Sequence, residues 1–130
     1  LILGFPGETE ALFEETMETL KRLNFSHIHA FPYSPRKGTP AATMSGQIDT
    51  AEKKRRVELV NELSARQKAA LLESLVGTKA SVLVETQEGT EGEGFTGNYE
   101  RVAVNGLPEG AQRTVVSVAL VGTGWQEALG

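Results

Sequence analysis

The sequence predicts an α+β protein in which a β–α–β segment is followed by a long helix and a small OB-like antiparallel β-barrel. Three observations predict this order. An apolar run ends in a Gly-x-Pro-Gly turn and leads into an amphipathic helix. After Asp49, apolar residues keep helical spacing for about 25 residues, and from Thr78 they alternate with polar residues among frequent glycines. We therefore expect segments at 1–47, 48–77 and 78–130.

The first segment is predicted to form two strands joined by a helix. Thr9 is placed as an N-cap and Asn24 as a left-handed stop, so the helix fills the space between them. Residues 25–33 follow as the second strand and 41–47 as a loop. A connecting helix of this length implies parallel pairing. Parallel strands need neighbours on both sides, so we expect a piece of a larger protein whose N-terminal part is missing.

That expectation has two consequences. The strands should expose edges that permit self-association. The missing part of the same chain should be their natural partner.

The long helix is predicted to begin at Asp49, where Asp49 and Glu52 form a capping-box variant, and to end before Gly77. On a helix its basic residues spread around the axis, which is typical of a solvated face. A contact with an RNA backbone is the alternative. The basic run is Lys53, Lys54, Arg55 and Arg56.

The barrel segment is predicted from short β-type runs separated by turn residues. Small OB-like or SH3-like barrels have this pattern. The predicted order is a strand with Ala80, Val82 and Val84 on one face, a loop at 85–94, a strand at 95–104, a turn at Asn105-Gly106, a strand at 114–121, a break at Gly122-Thr123-Gly124 and a last strand at 125–129.

Composition limits the chemistry. The chain has no cysteine, which excludes disulfides, a thiolate nucleophile and a cysteine-held iron–sulfur cluster within it. No stretch reaches the ~18 apolar residues of a membrane span, and no signal peptide is visible, so we expect a cytoplasmic protein without membrane contact. The net charge is −4, and residues 78–130 hold 3 basic against 7 acidic residues. That balance weighs against strong nucleic-acid binding by the barrel alone.

Four groups of residues are candidates for a site. The Gly4–Gly7 turn would let a ligand approach the backbone, or is an ordinary tight turn. His27 and His29 suit metal binding or, more simply, packing. Arg36 and Lys37 would meet an anionic ligand or solvent. Phe95, Tyr99 and Arg101, on one side of an unbroken strand that Gly97 shares, would stack unpaired bases or fill the barrel core.

Two longer motifs carry a family resemblance. The run Ile2–Thr9, together with Phe31–Arg36 and Gly38–Ala41, resembles the late part of MiaB-like radical-SAM methylthiotransferases. The residues from Leu75 to Glu85 resemble the start of the RNA-binding TRAM barrel of those enzymes. Gly94–Tyr99 together with Arg101-Val102 is most similar to the MtaB-like subgroup.

The resemblance implies a function for the longer protein. Such an enzyme adds a methylthio group to a modified adenosine beside the anticodon of tRNA, using S-adenosylmethionine and 4Fe-4S clusters. In the MtaB-like subgroup that base carries a threonylcarbamoyl group. The first segment would be the last β–α–β part of the radical-SAM barrel. The cluster cysteines would lie upstream, so this chain alone is expected to bind neither S-adenosylmethionine nor a cluster, to hold no catalytic residue and to be inactive.

Two alternatives to this function remain: a freestanding RNA-binding module, and a structural or interaction domain without RNA binding.

The same resemblance assigns residues to two surfaces. The cofactor set is Ile2, Gly4, Phe5, Phe31, Tyr33 and Arg36. The RNA set, which combines the resemblance with the basic run, is Lys53, Lys54, Arg56, Lys79, Phe95, Asn98, Tyr99 and Arg101.

Overall fold

The computed structural model describes residues 1–122 and 124–129 and divides into two compact units, Leu1–Ala70 and Leu71–Gly130. Thr123 of the predicted break and Gly130 at the end of the predicted barrel segment lie outside the described residues. The architecture is α+β, as predicted, with a long helix and a closed five-stranded barrel.

The first unit contains a short parallel pair of strands, which confirms the predicted pairing. Ile2 lies opposite Phe31, and Leu3 opposite Pro32. Its elements are β1 (Ile2–Leu3), α1 (Glu10–Leu23), β2 (Phe31–Pro32), α2 (Pro40–Thr43) and the part of α3 (Thr50–Leu75) that runs to Ala70.

Helix α1 begins and ends at the predicted caps. The Thr9 hydroxyl accepts a hydrogen bond from the Leu12 N–H at 3.3 Å. Asn24 has φ 51°, and its N–H donates to the Leu20 carbonyl. Both caps depend on local chemistry, which is why the sequence predicts them.

Two predictions for this unit are wrong. Of the strand predicted at 25–33, β2 keeps Phe31–Pro32. The Ile28 N–H donates to the Ser64 hydroxyl of α3 at 3.0 Å, so a helix side chain takes the place of a neighbouring strand. The loop predicted at 41–47 contains most of α2, which starts at Pro40, a favoured first helical residue.

Helix α3 contributes to the core of the first unit. Gln67 also donates to the Leu20 carbonyl at 2.9 Å and so satisfies a group at the end of α1. Asp49 caps α3 by accepting from the Ala51 N–H at 3.0 Å, and Gly77 follows the helix with φ 85°. The buried apolar residues of this core are Leu3, Phe13, Leu20, Ile28, Val60 and Leu63.

The second unit is a closed barrel with the order β3-β4-β5-β7-β6. Its neighbours are antiparallel except β5 and β7, which are parallel, so the wholly antiparallel prediction is wrong at that one pair. A closed five-stranded barrel is compatible with the predicted OB-like class. The strands are β3 (Lys79–Glu88), β4 (Glu91–Thr96), β5 (Arg101–Asn105), β6 (Val115–Ala119) and β7 (Trp125–Ala128).

The strand boundaries correct two further predictions. The loop predicted at 85–94 is mostly strand, because β3 and β4 continue to a turn at Gly89-Thr90. The unbroken strand predicted at 95–104 is a hairpin, in which Tyr99 adopts φ 62° and its N–H donates to the Thr96 carbonyl at 2.9 Å. Phe95 and Tyr99 therefore do not lie on one side of a single strand.

The barrel core confirms the predicted alternation in β3. Val82 and Val84 are buried, and Ala80 is half-buried against the same core, whereas Leu83 faces outward. The buried set is Val82, Val84, Val104, Leu107, Ala111, Val118 and Leu120.

Candidate cofactor cleft and nucleic-acid surface

A cleft of about 510 Å³ lies beside the parallel strand pair. Four of the six predicted cofactor residues line it: Ile2, Phe31, Tyr33 and Arg36. Ile2 and Phe31 are register partners on β1 and β2, and they stay 59% and 58% exposed. Two large apolar side chains on one open surface, with a guanidinium nearby, suit a ligand that has both a flat ring and an anionic group.

The other two predicted residues, Gly4 and Phe5, do not line this cleft, although Phe5 contacts Tyr33, which does. The Phe5 ring packs edge-on against the Tyr33 ring, with 5.2 Å between centroids. Gly4 has φ 73°, and its N–H donates to the Glu8 carboxylate at 2.9 Å. A Cβ at Gly4 would lie 2.5 Å from Lys53 Cγ, so the stem of Lys53 covers this turn.

Tyr33 links the cleft to α3. Its N–H donates to the Leu3 carbonyl at 2.7 Å, and its own carbonyl accepts from Lys53 Nζ at 3.1 Å. The same ammonium group lies 5.2 Å from the centre of the Tyr33 ring, within cation–π range. Within the described part of the chain, the buried Tyr33 hydroxyl has no hydrogen-bond partner.

A network of ion pairs joins the β1 loop to α3. Arg56 Nη1 donates to the Glu8 carbonyl at 2.8 Å and to the Glu8 carboxylate at 2.7 Å, and Arg56 Nε donates to Glu52 at 2.9 Å. Arg55 binds Glu10 and Glu52, both at 2.7 Å. Lys53 and Arg56 are 7% and 4% exposed, so the solvated-face interpretation of the basic run is wrong for these two.

These contacts move the pKa values of the charged groups. Hydrogen bonds from Arg55, and then from Arg56, lower the pKa of Glu52 from 4.5 to about 2. Burial lowers the pKa of Arg56, but hydrogen bonds to Glu8 and Glu52 outweigh it and raise the pKa overall. Hydrogen bonds to Glu52 and Glu10 also raise the pKa of Arg55. Glu52, Arg55 and Arg56 are therefore charged near neutral pH.

Acid should weaken this network. The pKa of Glu52 is lower in the folded chain, so its carboxylate stabilises the fold above about pH 4.5, and that stabilisation is lost as the pH falls from 4.5 to about 2. Thermal unfolding of the wild type and Glu52→Gln checks this. The wild type should melt at the higher temperature at pH 7, and the difference should shrink below pH 4.5. A constant difference down to pH 2.5 would contradict it.

The two histidine rings pack edge to face. The rings of His27 and His29 are 4.3 Å apart and T-shaped. Across the described ranges, no group of three or more His, Cys, Asp or Glu is placed to hold a metal. In the same part of the chain, no helix has the length and apolarity needed to cross a membrane.

The barrel carries an exposed aromatic surface at the β4–β5 hairpin. The rings of Phe95 and Tyr99 are 6.3 Å apart, and Tyr99 is 87% exposed. Asn98 is exposed in the same turn. Arg101 is the register partner of Phe95 and forms an ion pair with Glu93. Four predicted RNA residues thus lie together because of a hairpin turn, whereas the sequence suggested that three of them share one side of a continuous strand.

Two residues of this surface are absent from the sequence-based set. They are Leu83, which is 47% exposed, and Val115, which is 65% exposed. Leu83 pairs with Phe95 on one side and with Val115 on the other. The outward position of Leu83 between two inward valines was the available signal. Lys79 is exposed and lies four residues along β3 from Leu83, about 13 Å away at the usual rise of a strand.

Comparison with curated proteins finds tRNA-modifying methylthiotransferases, which match 65% to 98% of the chain. No family model matches it. In sequence the chain matches the carboxy-terminal part of MiaB-like methylthiotransferases, which confirms the resemblance predicted from its motifs.

Three relatives show the range of the likeness. The chain is 47% identical over 97 residues to the tRNA-2-methylthio-N(6)-dimethylallyladenosine synthase of Moorella thermoacetica, covering 75% of the chain and 22% of that protein. It is 35% identical over 136 residues to the synthase of the same name from Anaplasma marginale, covering 98% and 30%. It is 41% identical over 115 residues to a "Probable threonylcarbamoyladenosine tRNA methylthiotransferase" of Methanocaldococcus jannaschii, covering 88% and 26%. The chain thus spans less than a third of the length of these relatives.

Proposed function

We propose that the chain is the carboxy-terminal part of a cytoplasmic radical-SAM methylthiotransferase that modifies an adenosine next to the anticodon of tRNA. The first unit contributes one wall of the S-adenosylmethionine pocket as the last β–α–β part of the radical-SAM barrel. The second unit is the TRAM domain. The names of the relatives support the reaction class, and two of those names differ in the group on the base.

The cleft beside β1 and β2 is the observation that carries this proposal. Its residues fit the cofactor: Ile2 and Phe31 would flank the flat adenine, and Arg36 would bind the carboxylate of the methionine part. Bound S-adenosylmethionine would supply the radical chemistry of the family. The chain has no cysteine and so does not fit a 4Fe-4S cluster, which would have to be held elsewhere in the longer protein.

The cofactor proposal is tested by S-adenosylmethionine binding to the full-length protein, measured by calorimetry. Phe31→Ala and Arg36→Met should each weaken binding about tenfold, through loss of a stacking wall and of a charge-assisted hydrogen bond. Phe25→Ala and Arg22→Met, which change the same residue types outside this cleft, are the matched controls. Equal affinities for the Phe31→Ala and Phe25→Ala proteins would refute the pocket.

The second proposal concerns RNA. We propose that Phe95, Tyr99 and Arg101, with Asn98 in the turn, stack and contact unpaired bases, an arrangement that many OB-like barrels use. Lys79 and the exposed Lys54 would meet phosphates. The excess of acidic residues in the second unit argues that this surface orients the RNA and that charge elsewhere supplies most of the attraction.

Replacing Tyr99 separates stacking from the alternatives. Tyr99→Ala should weaken binding of an anticodon stem-loop to the 130-residue chain about tenfold, because a base–aromatic stack is worth ~1–3 kcal/mol. Tyr99→Phe keeps the ring and should bind like the wild type. Fluorescence anisotropy at two salt concentrations measures both. Salt-insensitive or undetectable binding by the wild type would instead favour the structural or interaction role.

A further inference from the structure

We infer that Lys53 and Arg56 position the loop after β2, which lines the cofactor cleft, and the neighbouring loop after β1, and do not contact RNA. This inference rests on the proposed cofactor site, because the loops in question carry the predicted cofactor residues Gly4, Phe5 and Tyr33. The two cations lie on α3, one turn apart, and each donates hydrogen bonds to a different loop.

Lys53 holds the loop after β2 and covers the turn after β1. Its ammonium group donates to the Tyr33 carbonyl at 3.1 Å and faces the Tyr33 ring. Its stem passes over Gly4 so closely that an added Cβ would lie 2.5 Å from its Cγ. One side chain therefore touches both strands' loops at their carboxyl ends.

Arg56 holds the loop after β1 through Glu8. Its guanidinium donates to both the carbonyl and the carboxylate of Glu8, and that carboxylate also accepts from the Gly4 N–H at 2.9 Å. The guanidinium carbon is 5.3 Å from the centre of the Phe13 ring. Glu52 binds its Nε at 2.9 Å, so the guanidinium is fixed from several directions.

The direction of these contacts argues against a role in binding RNA. Both cationic groups point into the fold and are nearly buried, whereas the side chain of Lys54 is 78% exposed. A phosphate would have to displace Glu8 and Glu52 from Arg56. Burial combined with multiple charged partners makes that exchange costly. Within the basic run, Lys53 and Arg56 are thus inward positioning residues and Lys54 is an outward cation.

Binding by the full-length protein tests the division. Lys53→Met and Arg56→Lys should each weaken S-adenosylmethionine binding at least fivefold and change the affinity for an anticodon stem-loop by less than twofold. Lys54→Met, which changes the exposed lysine assigned to the RNA surface, should show the reverse pattern, with weaker stem-loop binding and unchanged cofactor binding. Variants that lose RNA affinity but keep cofactor affinity would overturn the inference. If the wild type binds no S-adenosylmethionine, the proposed function fails instead.

Amide hydrogen exchange tests the positioning role without any bound cofactor, and so also if the wild type binds no S-adenosylmethionine. In the 130-residue chain, amide hydrogen exchange of Gly4 and Tyr33 should accelerate at least tenfold in Arg56→Lys and Lys53→Met respectively, while the amides of Val60 and Leu63 in the α3 core should not change. A general loss of stability would accelerate all four alike. Unchanged exchange at Gly4 and Tyr33 would overturn the positioning role.

Discussion

Replacing Gly94 with alanine is expected to destabilise the barrel by about 3 kcal/mol, at the upper end of ordinary overpacking costs. Gly94 lies opposite Val84 where β3 and β4 pair. A Cβ there would lie 2.2 Å from the Leu83 carbonyl oxygen and 2.8 Å from Val82 Cγ1. Because the first of these atoms belongs to the backbone, β3 and β4 would have to move apart.

Gly97→Ala is the matched control for that substitution, because a Cβ at Gly97 would meet no atom within 4 Å. Urea unfolding followed by the fluorescence of Trp125, the one tryptophan of the sequence and a residue of β7, reports on the barrel directly. The Gly94→Ala midpoint should fall well below that of the wild type, and the Gly97→Ala midpoint should stay close to it. Coincident midpoints for the two variants would contradict the close packing of β3 and β4.

Replacing Leu3 with alanine is expected to cost the first unit about 3 kcal/mol, within the usual range for a buried leucine. Leu3 is 0% exposed and packs in the core with residues of α1 and α3. Its carbonyl also accepts from the Tyr33 N–H, so a shift of β1 would disturb the cleft. Circular dichroism at 222 nm follows this unit, because its helices dominate the signal.

Ile2→Ala is the control for Leu3→Ala. Ile2 is the neighbouring residue on β1, but it faces the cleft and is 59% exposed. We expect little change in its unfolding midpoint and a loss of S-adenosylmethionine affinity in the full-length protein. The opposite order of stabilities would mean that β1 presents its other face to the core.

The features that the sequence predicts correctly depend on neighbours along the chain. Thr9 and Asn24 cap α1 through contacts within a few residues, Gly77 supplies the left-handed φ that follows α3, and the alternation around Val82 follows from the geometry of a strand. Residues 25–30 fail as a strand because Ile28 bonds to Ser64, 36 residues further on. Spacing along the chain holds no sign of such a partner.

The site divides in the same way. Ile2 and Phe31 share a surface because β1 and β2 pair in parallel, and that pairing was predictable from the sequence. The family motifs marked Tyr33 and Arg36. The burial of Arg56 was not predictable from its four-residue basic run, since it depends on Glu8, 48 residues earlier. The left-handed turn at Tyr99 was likewise not predictable, because bulky residues rarely adopt a positive φ. The sequence predicts a continuous strand there.

The methylthio content of tRNA tests the proposed function most directly. Nucleosides from cells that lack the gene for the full-length protein, from cells complemented with the wild-type gene and from cells complemented with the Phe31→Ala gene would be compared by mass spectrometry. We predict that the 2-methylthio form of one modified adenosine disappears on deletion, returns with the wild-type gene and returns incompletely with Phe31→Ala. The mass of the lost nucleoside distinguishes a threonylcarbamoyl from a dimethylallyl group. Unchanged methylthio content after deletion would contradict the proposed function.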